Sequence, residues 1–303
     1  MKFLKKRPYI FFILPGLILY VTFVIYPMFY AFSLSLYDWS GFGPKTFIGL
    51  RNFYSLFFDP RISKMFFNAL KNNVLFVLAE LVLIMPLQIF FAYLIYIKIK
   101  GHKLFQALIF LPCVISTAVI GFFIMIVFDP NIGIVNTVLQ RLNLENWQRA
   151  WFGDPNIAFP LFILVIMWVG IGYCMMLFIA NMRGISEEIL EAAIIDGASG
   201  YKMFFYIILP QLWPALTNVI VLDTIAGLTL FDIPFIIGGS QGGIDNSLDF
   251  LNIFFFRYAF GNSYNGDTAV GFGAAISVVT FLLVATVAVF QLKYLRRIQT
   301  DSE

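Results

Sequence analysis

The chain has 303 residues, 60% of them hydrophobic and only 12% charged, with 37 phenylalanines and a mean hydropathy of +0.87. Soluble domains are about 45–50% apolar and about 25% charged, so a soluble chain of this composition could not cover its own surface, and the sequence reads as an integral membrane protein. The net charge of +3 includes no basic block able to neutralise a row of phosphates, which argues against nucleic acid as a partner.

Six stretches are apolar over the roughly 20 residues a helix needs to cross the hydrocarbon core. They lie near 10–32, 72–97, 104–128, 157–180, 212–237 and 272–292. The expected fold is an all-α, polytopic helical bundle of six transmembrane helices, forming one domain over residues 1–303. Lys5-Lys6-Arg7 before the first stretch resembles a secretory n-region. The run is too long for an h-region and no small-residue cleavage site follows, so it reads as a retained span. With the N-terminus inside, twelve basic residues fall in 57 inside positions and eight in 101 outside positions. The positive-inside rule then makes both termini cytoplasmic.

Pro15, Pro27, Pro86, Pro112, Pro160 and Pro234 fall within these spans and each frees a backbone carbonyl, so bends are expected. Gly170-Ile171-Gly172 and Gly271-Phe272-Gly273 allow close helix approach. Cys113 and Cys174 sit in apolar runs and read as packing residues rather than a disulfide. The one histidine, His102, lies among lysines without a second ligand, so no metal site is expected. No nucleophile–base pair is apparent, so no catalytic residue is expected either.

The inside segment 181–211 is unlike the other short inside loops. Ser186 is a plausible N-cap, and Glu187 and Glu188 suit the positive end of a helix. Ile189, Leu190, Ala193 and Ile194 form an apolar strip, and Asp196-Gly197 interrupts it. A second amphipathic stretch, 201–209, carries Phe204, Phe205, Ile207 and Ile208 and ends at Pro210. Such a helix–turn–helix needs cover from the chain's own spans, the membrane surface or a soluble partner.

Residues 191–210 read E-A-A-I-I-D-G-A-S-G-Y-K-M-F-F-Y-I-I-L-P. This resembles the EAA loop of ABC importer permeases, with Glu191, Ala192, Ala193, Gly197, Ile207, Leu209 and Pro210 on the pattern and Asp196 beside it. The segment from Phe47 to Phe53, F-I-G-L-R-N-F, and the stretch from Phe66 to Leu78 resemble carbohydrate-type permeases. Phe231-Asp232 and the segment from Gly271 to Thr280 match as well. The similarity runs from about 8 to 297 and is nearest to the half resembling the maltose-type F subunit and glycerol-phosphate-type A subunit. One departure is Ile236-Ile237-Gly238-Gly239-Ser240-Gln241-Gly242-Gly243, which lacks the family's L-T-x-G-G-P string.

The resemblance implies a type I importer fold in which the EAA loop forms coupling helices that dock in a cytoplasmic ATPase. It also implies a companion permease making a heterodimer, two ATP-binding cassette subunits, an extracytoplasmic solute-binding protein and a sugar substrate. ATP and Mg would then be bound by the partner ATPase, with no cofactor in this chain. The chain contains no G-x-x-x-x-G-K-[S/T] string, so it supplies no P-loop of its own.

Ionisable groups inside the bilayer cost about 2.5–3.5 kcal/mol on insertion scales unless they face a cavity or a partner. Glu80, Asp223 and Asp232 are the carboxylates in question. Asp232 lies near the outer end of its span and can reach the interface, while Glu80 is expected to pack against the companion permease. Asp223, Ala226, Gly227 and Leu230 are spaced i, i+3, i+4, i+7 and so are expected to share one helix face. A carboxylate beside small residues suits sugar hydroxyls. In maltose-type relatives this face and the preceding helix line the translocation site, and Gly170 and Tyr173 keep that family's G-x-x-Y. A secondary transporter or channel is the alternative reading. It would favour internal repeats and an ionisable relay over a long docking loop.

Overall fold

The computed structural model describes the backbone of residues 9–261 and 268–301, and side chains within 12–261 and 268–295. Lys5-Lys6-Arg7 lies outside the described residues. Helix α1 runs through Tyr9–Tyr20, a π-helical turn at Val21–Ile25 and Tyr26–Leu34. A short ladder follows, with β1 (Tyr37–Asp38) antiparallel to β2 (Thr46–Phe47) and Tyr37 opposite Phe47. Next come α2 (Arg51–Phe58) and α3 (Pro60–Tyr96), the latter with a π turn at Glu80–Ile84. Then come α4 (His102–Val114), α5 (Thr117–Val127), α6 (Ile134–Arg141) and α7 (Pro155–Arg183). After α8 (Glu187–Ile195), α9 is a π turn at Met203–Ile208 running into Leu209–Gln211. The chain ends with α10 (Trp213–Leu228), α11 (Asp232–Gly238), α12 (Leu251–Ala259) and α13 (Val270–Asp301).

Among the described residues five helices are long and apolar enough to cross a membrane, or six spans if α4 and α5 are one broken span. The third expected span, 104–128, is therefore not a straight helix: α4 and α5 are bent by 100°. The bend follows Pro112 and falls at Ile115 and Ser116, both extended, and the Ser116 hydroxyl then caps α5 by accepting from the Val119 N–H at 3.4 Å. The fifth, 212–237, is also interrupted. The proline ring at 234 has no N–H to bond the Leu230 carbonyl, and the helix stops at Leu228 before restarting at Asp232.

The three π turns among the described residues share one feature. Each ends two residues before a proline: Pro27, Pro86 and Pro210. In each, the N–H just before the proline bonds the carbonyl five residues back: Tyr26 to Val21, Met85 to Glu80, Leu209 to Phe204. Widening the turn moves backbone out of the way of the ring while keeping the preceding groups bonded.

The chain divides into two compact units, 1–66 with 255–282 and 67–254 with 283–303. In the first, the buried Asn52 of the F-I-G-L-R-N-F segment donates to the carbonyls of Ser35 (2.9 Å) and Tyr37 (3.0 Å), tying α2 to the end of α1. Gly271 lies against the Tyr37 carbonyl, where no side chain fits, and its N–H donates to the Trp39 carbonyl at 3.0 Å.

In the second unit, one apolar core gathers Ile89 and Ala92 of α3, Phe178 and Met182 of α7, and Ile208 and Leu212. Another is built around Phe76, Phe162 and Phe250, whose ring centroids lie 5.6–6.0 Å apart. Gly172 lets α7 meet α4: a Cβ there would stand 2.7 Å from the Ile109 carbonyl oxygen and 2.8 Å from Cys113 Sγ. Three asparagines on α3 bond the chain on both sides of α11. Asn68 donates to the Asn246 carbonyl (3.0 Å) and Asn72 to that of Asp249 (2.9 Å). Asn73 donates to the Gly227 carbonyl (2.7 Å) and accepts the Leu251 N–H (2.8 Å). Within that segment Gly239, Gly242 and Gly243 adopt positive φ, and a Cβ on Gly242 would strike the Asp249 backbone.

Candidate functional site

Two features organise the second unit: a polar cluster between α3, α7 and α10, and the helix–turn–helix at 187–211. The cluster begins where the π turn of α3 opens. Glu80 is buried within the chain, within electrostatic range of Asp223, and its Oε1 would lie 3.8 Å from a Cβ on Gly170. The buried Gln88 donates to the Gly170 carbonyl at 3.2 Å, and Cys174 donates its thiol proton to Asp223 Oδ1 at 3.6 Å. Glu80 therefore faces the chain's own interior, which corrects the expectation that it packs against a companion subunit. Asp232 is exposed in the first turn of α11, where its Oδ2 accepts from the Thr117 hydroxyl at 3.5 Å.

The expected strip on the fifth span is only partly realised. Asp223 is half-buried and Ala226 exposed, but Gly227 is buried, with the Val77 side chain 2.7 Å from where its Cβ would stand. Leu230 lies beyond the end of the helix and packs on the second core, so the i+7 relation is lost. The physical reason is the helix end set by Pro234, reinforced by the Thr229 hydroxyl, which donates back to the Ile225 carbonyl at 2.7 Å. Tyr173 is 59% exposed and opens onto a cleft of about 400 Å³. The α10 residues facing that cleft are Ala215, Asn218, Val221 and Leu222, not the expected strip. Asn218 went unremarked in the sequence, although a lone amide in an apolar span is a legible signal.

The helix–turn–helix forms with its break at the expected place. Ser186 is extended at the N-cap of α8 but makes no side-chain cap bond. At the other end Gly197 takes φ +80°, its N–H bonding the Ile194 carbonyl (3.0 Å) and the Ala198 N–H the Ala193 carbonyl (2.8 Å). This pair of bonds is the Schellman closure, which glycine accepts without strain. Ala193 is buried, whereas Glu191, Ala192 and Asp196 are exposed. The second stretch is a π turn rather than a regular helix. Ile207 and Leu209 are half-buried and Pro210 exposed, and Tyr93 of α3 supports the element through its hydroxyl to the Gly200 carbonyl (3.2 Å) and its ring on Phe204 (4.6 Å). Ile194, Ile195, Tyr201, Phe205 and Tyr206 remain exposed, Ile195 by 85%.

Residues 60–299 match the family described as the binding-protein-dependent transport system inner membrane component. The chain belongs to this family. Among the relatives of this permease is a probable ABC transporter permease of Bacillus subtilis, YurN, 34% identical with 96% of this chain and 97% of that one covered. The multiple sugar-binding transport system permease MsmF of Streptococcus mutans is 32% identical, with 95% of each chain covered. The lactose transport system permease LacF of Rhizobium radiobacter is 30% identical, covering 92% and 91%. In fold, the permease is similar to a chain of a bacterial alginate ABC transporter solved with an alginate-bound periplasmic protein, with a TM-score of 0.83 at 20% identity and 98% and 97% of the chains covered. The permease is thus a multi-pass membrane protein of the type I importer fold.

Proposed function

We propose that this permease is one half of a heterodimeric pathway that imports a sugar or oligosaccharide, working with a companion permease and two ATP-binding cassette subunits. An extracytoplasmic solute-binding protein delivers the sugar to the loops at 33–71, 129–156 and 238–271. Both termini and the 181–211 segment face the cytoplasm, and membrane lipid surrounds the spans. ATP and Mg are held by the ATPase pair, and this chain holds no cofactor. The observation that carries the reading is the exposed apolar face of α8 and α9, which a membrane protein lacking its own P-loop presents beside the EAA residues. Glu191, Ala192, Asp196 and Gly197 shape the surface the ATPase grips, while Ala193, Ile207 and Leu209 fix it to the bundle and Pro210 follows the π turn that ends it. ATP-driven closure of the ATPase pair moves this element and switches the pathway's access, with Gly170, Tyr173, Asp223 and Ala226 along the sugar's route. The relatives named for sugar uptake support the substrate class.

The test is purification of the tagged chain with its natural partners, followed by reconstitution into liposomes. An ATPase is expected to co-purify, and sugar uptake is expected to require both ATP and the binding protein. Uptake driven by an ion gradient without any ATPase would replace this reading with a secondary carrier.

A further inference from the structure

Tyr93 of α3 holds the helix–turn–helix at two points one turn apart. Its hydroxyl donates to the Gly200 carbonyl at 3.2 Å, and its ring lies on Phe204 with centroids 4.6 Å apart. The Gly200 carbonyl also accepts the Phe204 N–H at 3.3 Å, so Gly200 and Phe204 close the turn that opens α9. One side chain thus grips both ends of that turn. Among the described residues it makes the one side-chain hydrogen bond that joins 185–211 to the rest of the chain. The core attachment of this segment is apolar, with Ile208 and Leu212 set among Ile89 and Ala92 of α3 and Phe178 and Met182 of α7. Apolar burial has no direction, so it holds the segment against the bundle without making α3 follow its movement. A hydrogen bond weakens steeply once its length and angle change, and so it does resist sliding.

The part of α3 that carries Tyr93 is built to pass such a movement on. From Met85 to Tyr96 it is an unbroken α-helix, and the π turn at Glu80–Ile84 separates it from the rest of α3. Five residues before Tyr93, about 7.5 Å along the axis, the fully buried Gln88 donates to the Gly170 carbonyl of α7 at 3.2 Å. The same short rod therefore touches the helix–turn–helix at one end and the polar cluster at the other. The chain itself supplies a separate path, from α9 through Leu212 directly into α10.

We infer that Tyr93 is a positioning residue that makes the Met85–Tyr96 part of α3 follow the helix–turn–helix, giving the ATPase's movement a second route into the bundle beside the chain itself. This rests on the importer reading above. The experiment uses the whole complex in liposomes and reads two quantities: the ATPase that co-purifies, and the factor by which Mg-AMP-PNP changes the complex's affinity for its natural binding protein. That factor measures coupling between the two sides of the membrane, and a side chain that only stabilises the fold shifts both affinities alike and leaves it unmoved. Wild type is expected to show a factor of about 5–150, the usual range for coupled sites. Tyr93→Phe keeps the ring on Phe204 and loses the hydroxyl, so the factor should fall about threefold, the worth of one hydrogen bond. Tyr93→Leu loses both and should lower it about tenfold, with the co-purified ATPase retained. A factor unchanged in both variants overturns the inference, as does a wild-type factor of one. Loss of co-purified ATPase in step with the factor overturns it too, because Tyr93 would then only support the docking surface. A wild-type complex that contains no ATPase is a separate failure, that of the importer reading, and takes the inference with it.

Discussion

Asn73 offers the sharpest test of how the second unit is held together. Its side chain is fully buried and bridges two backbone groups more than 150 residues away, donating to the Gly227 carbonyl at 2.7 Å and accepting the Leu251 N–H at 2.8 Å. Asn73→Ala leaves both groups buried without partners, at about 1–3 kcal/mol each, so a loss of about 2–6 kcal/mol is expected. Asn68→Ala is the control. Asn68 is half-buried and makes one bond, to the Asn246 carbonyl, so about 0.5–1.5 kcal/mol is expected there. Asn73→Asp keeps the acceptor for Leu251, and in its protonated form the carboxyl O–H still donates to the Gly227 carbonyl, so its cost should fall between the two. Equilibrium unfolding in mixed micelles, titrated with SDS, measures all three. If Asn73→Ala costs no more than Asn68→Ala, the bridge is not what fixes the end of α10, and the reasoning fails.

Gly172→Ala should cost about 1–3 kcal/mol in the same assay, because the new methyl meets the Ile109 carbonyl oxygen and Cys113 Sγ below 3 Å. Gly197→Val forces a β-branched residue to φ +80° and breaks the Schellman closure, at about 1–2 kcal/mol or more; uptake should fall and less ATPase should co-purify, and unchanged uptake would count against a coupling role. Asp223→Asn should lower uptake or alter solute choice by about 5–10-fold with complex assembly intact on size-exclusion chromatography; normal transport of the same solutes would remove Asp223 from the route. Asp129 accepts the N–H groups of Ile132 (3.0 Å) and Asn131 (2.8 Å), which hold its carboxyl below the usual carboxylate range. Its folded value is depressed, so the turn's added stability is present above the ordinary value of about 4 and is lost as pH falls through the lowered one. Amide exchange at Asn131 and Ile132, corrected for its intrinsic pH dependence, should show constant protection from pH 7 to 5 and loss only under strong acid.

The spans were legible because lipid imposes one demand, an apolar run of sufficient length, on every crossing helix. Their interruptions were half-legible. Prolines mark where a helix is disturbed, yet Pro27, Pro86 and Pro210 follow π turns while Pro15 and Pro160 lie inside helices without one. The ring therefore permits the wider turn without dictating it. The asparagines of α3 show a different limit. Their partners are backbone carbonyls and an N–H, groups that nearly every residue carries, so nothing in the segments at 227 or 246–251 announces the contact. The Asp223 strip failed for a third reason. The i, i+3, i+4, i+7 rule holds only while the helix continues, and this helix stops at Leu228, six residues before Pro234.

The helix–turn–helix at 187–211 was the most legible element because its constraints are local and chemical. Gly197 is needed for the left-handed turn, Ala193 is small enough to be buried beside it, and both bonds of the closure span six residues or fewer. Local closure also explains why the element can present Ile194, Ile195 and Phe205 outward without collapsing onto the bundle. The π turn of α9 leads into Pro210, and Tyr93 anchors the loop through Gly200 and Phe204, so the outward face is held from two sides. An apolar surface held rigid in this way has lost little further entropy to give up on binding, which favours a docking element that transmits motion over one that merely adheres.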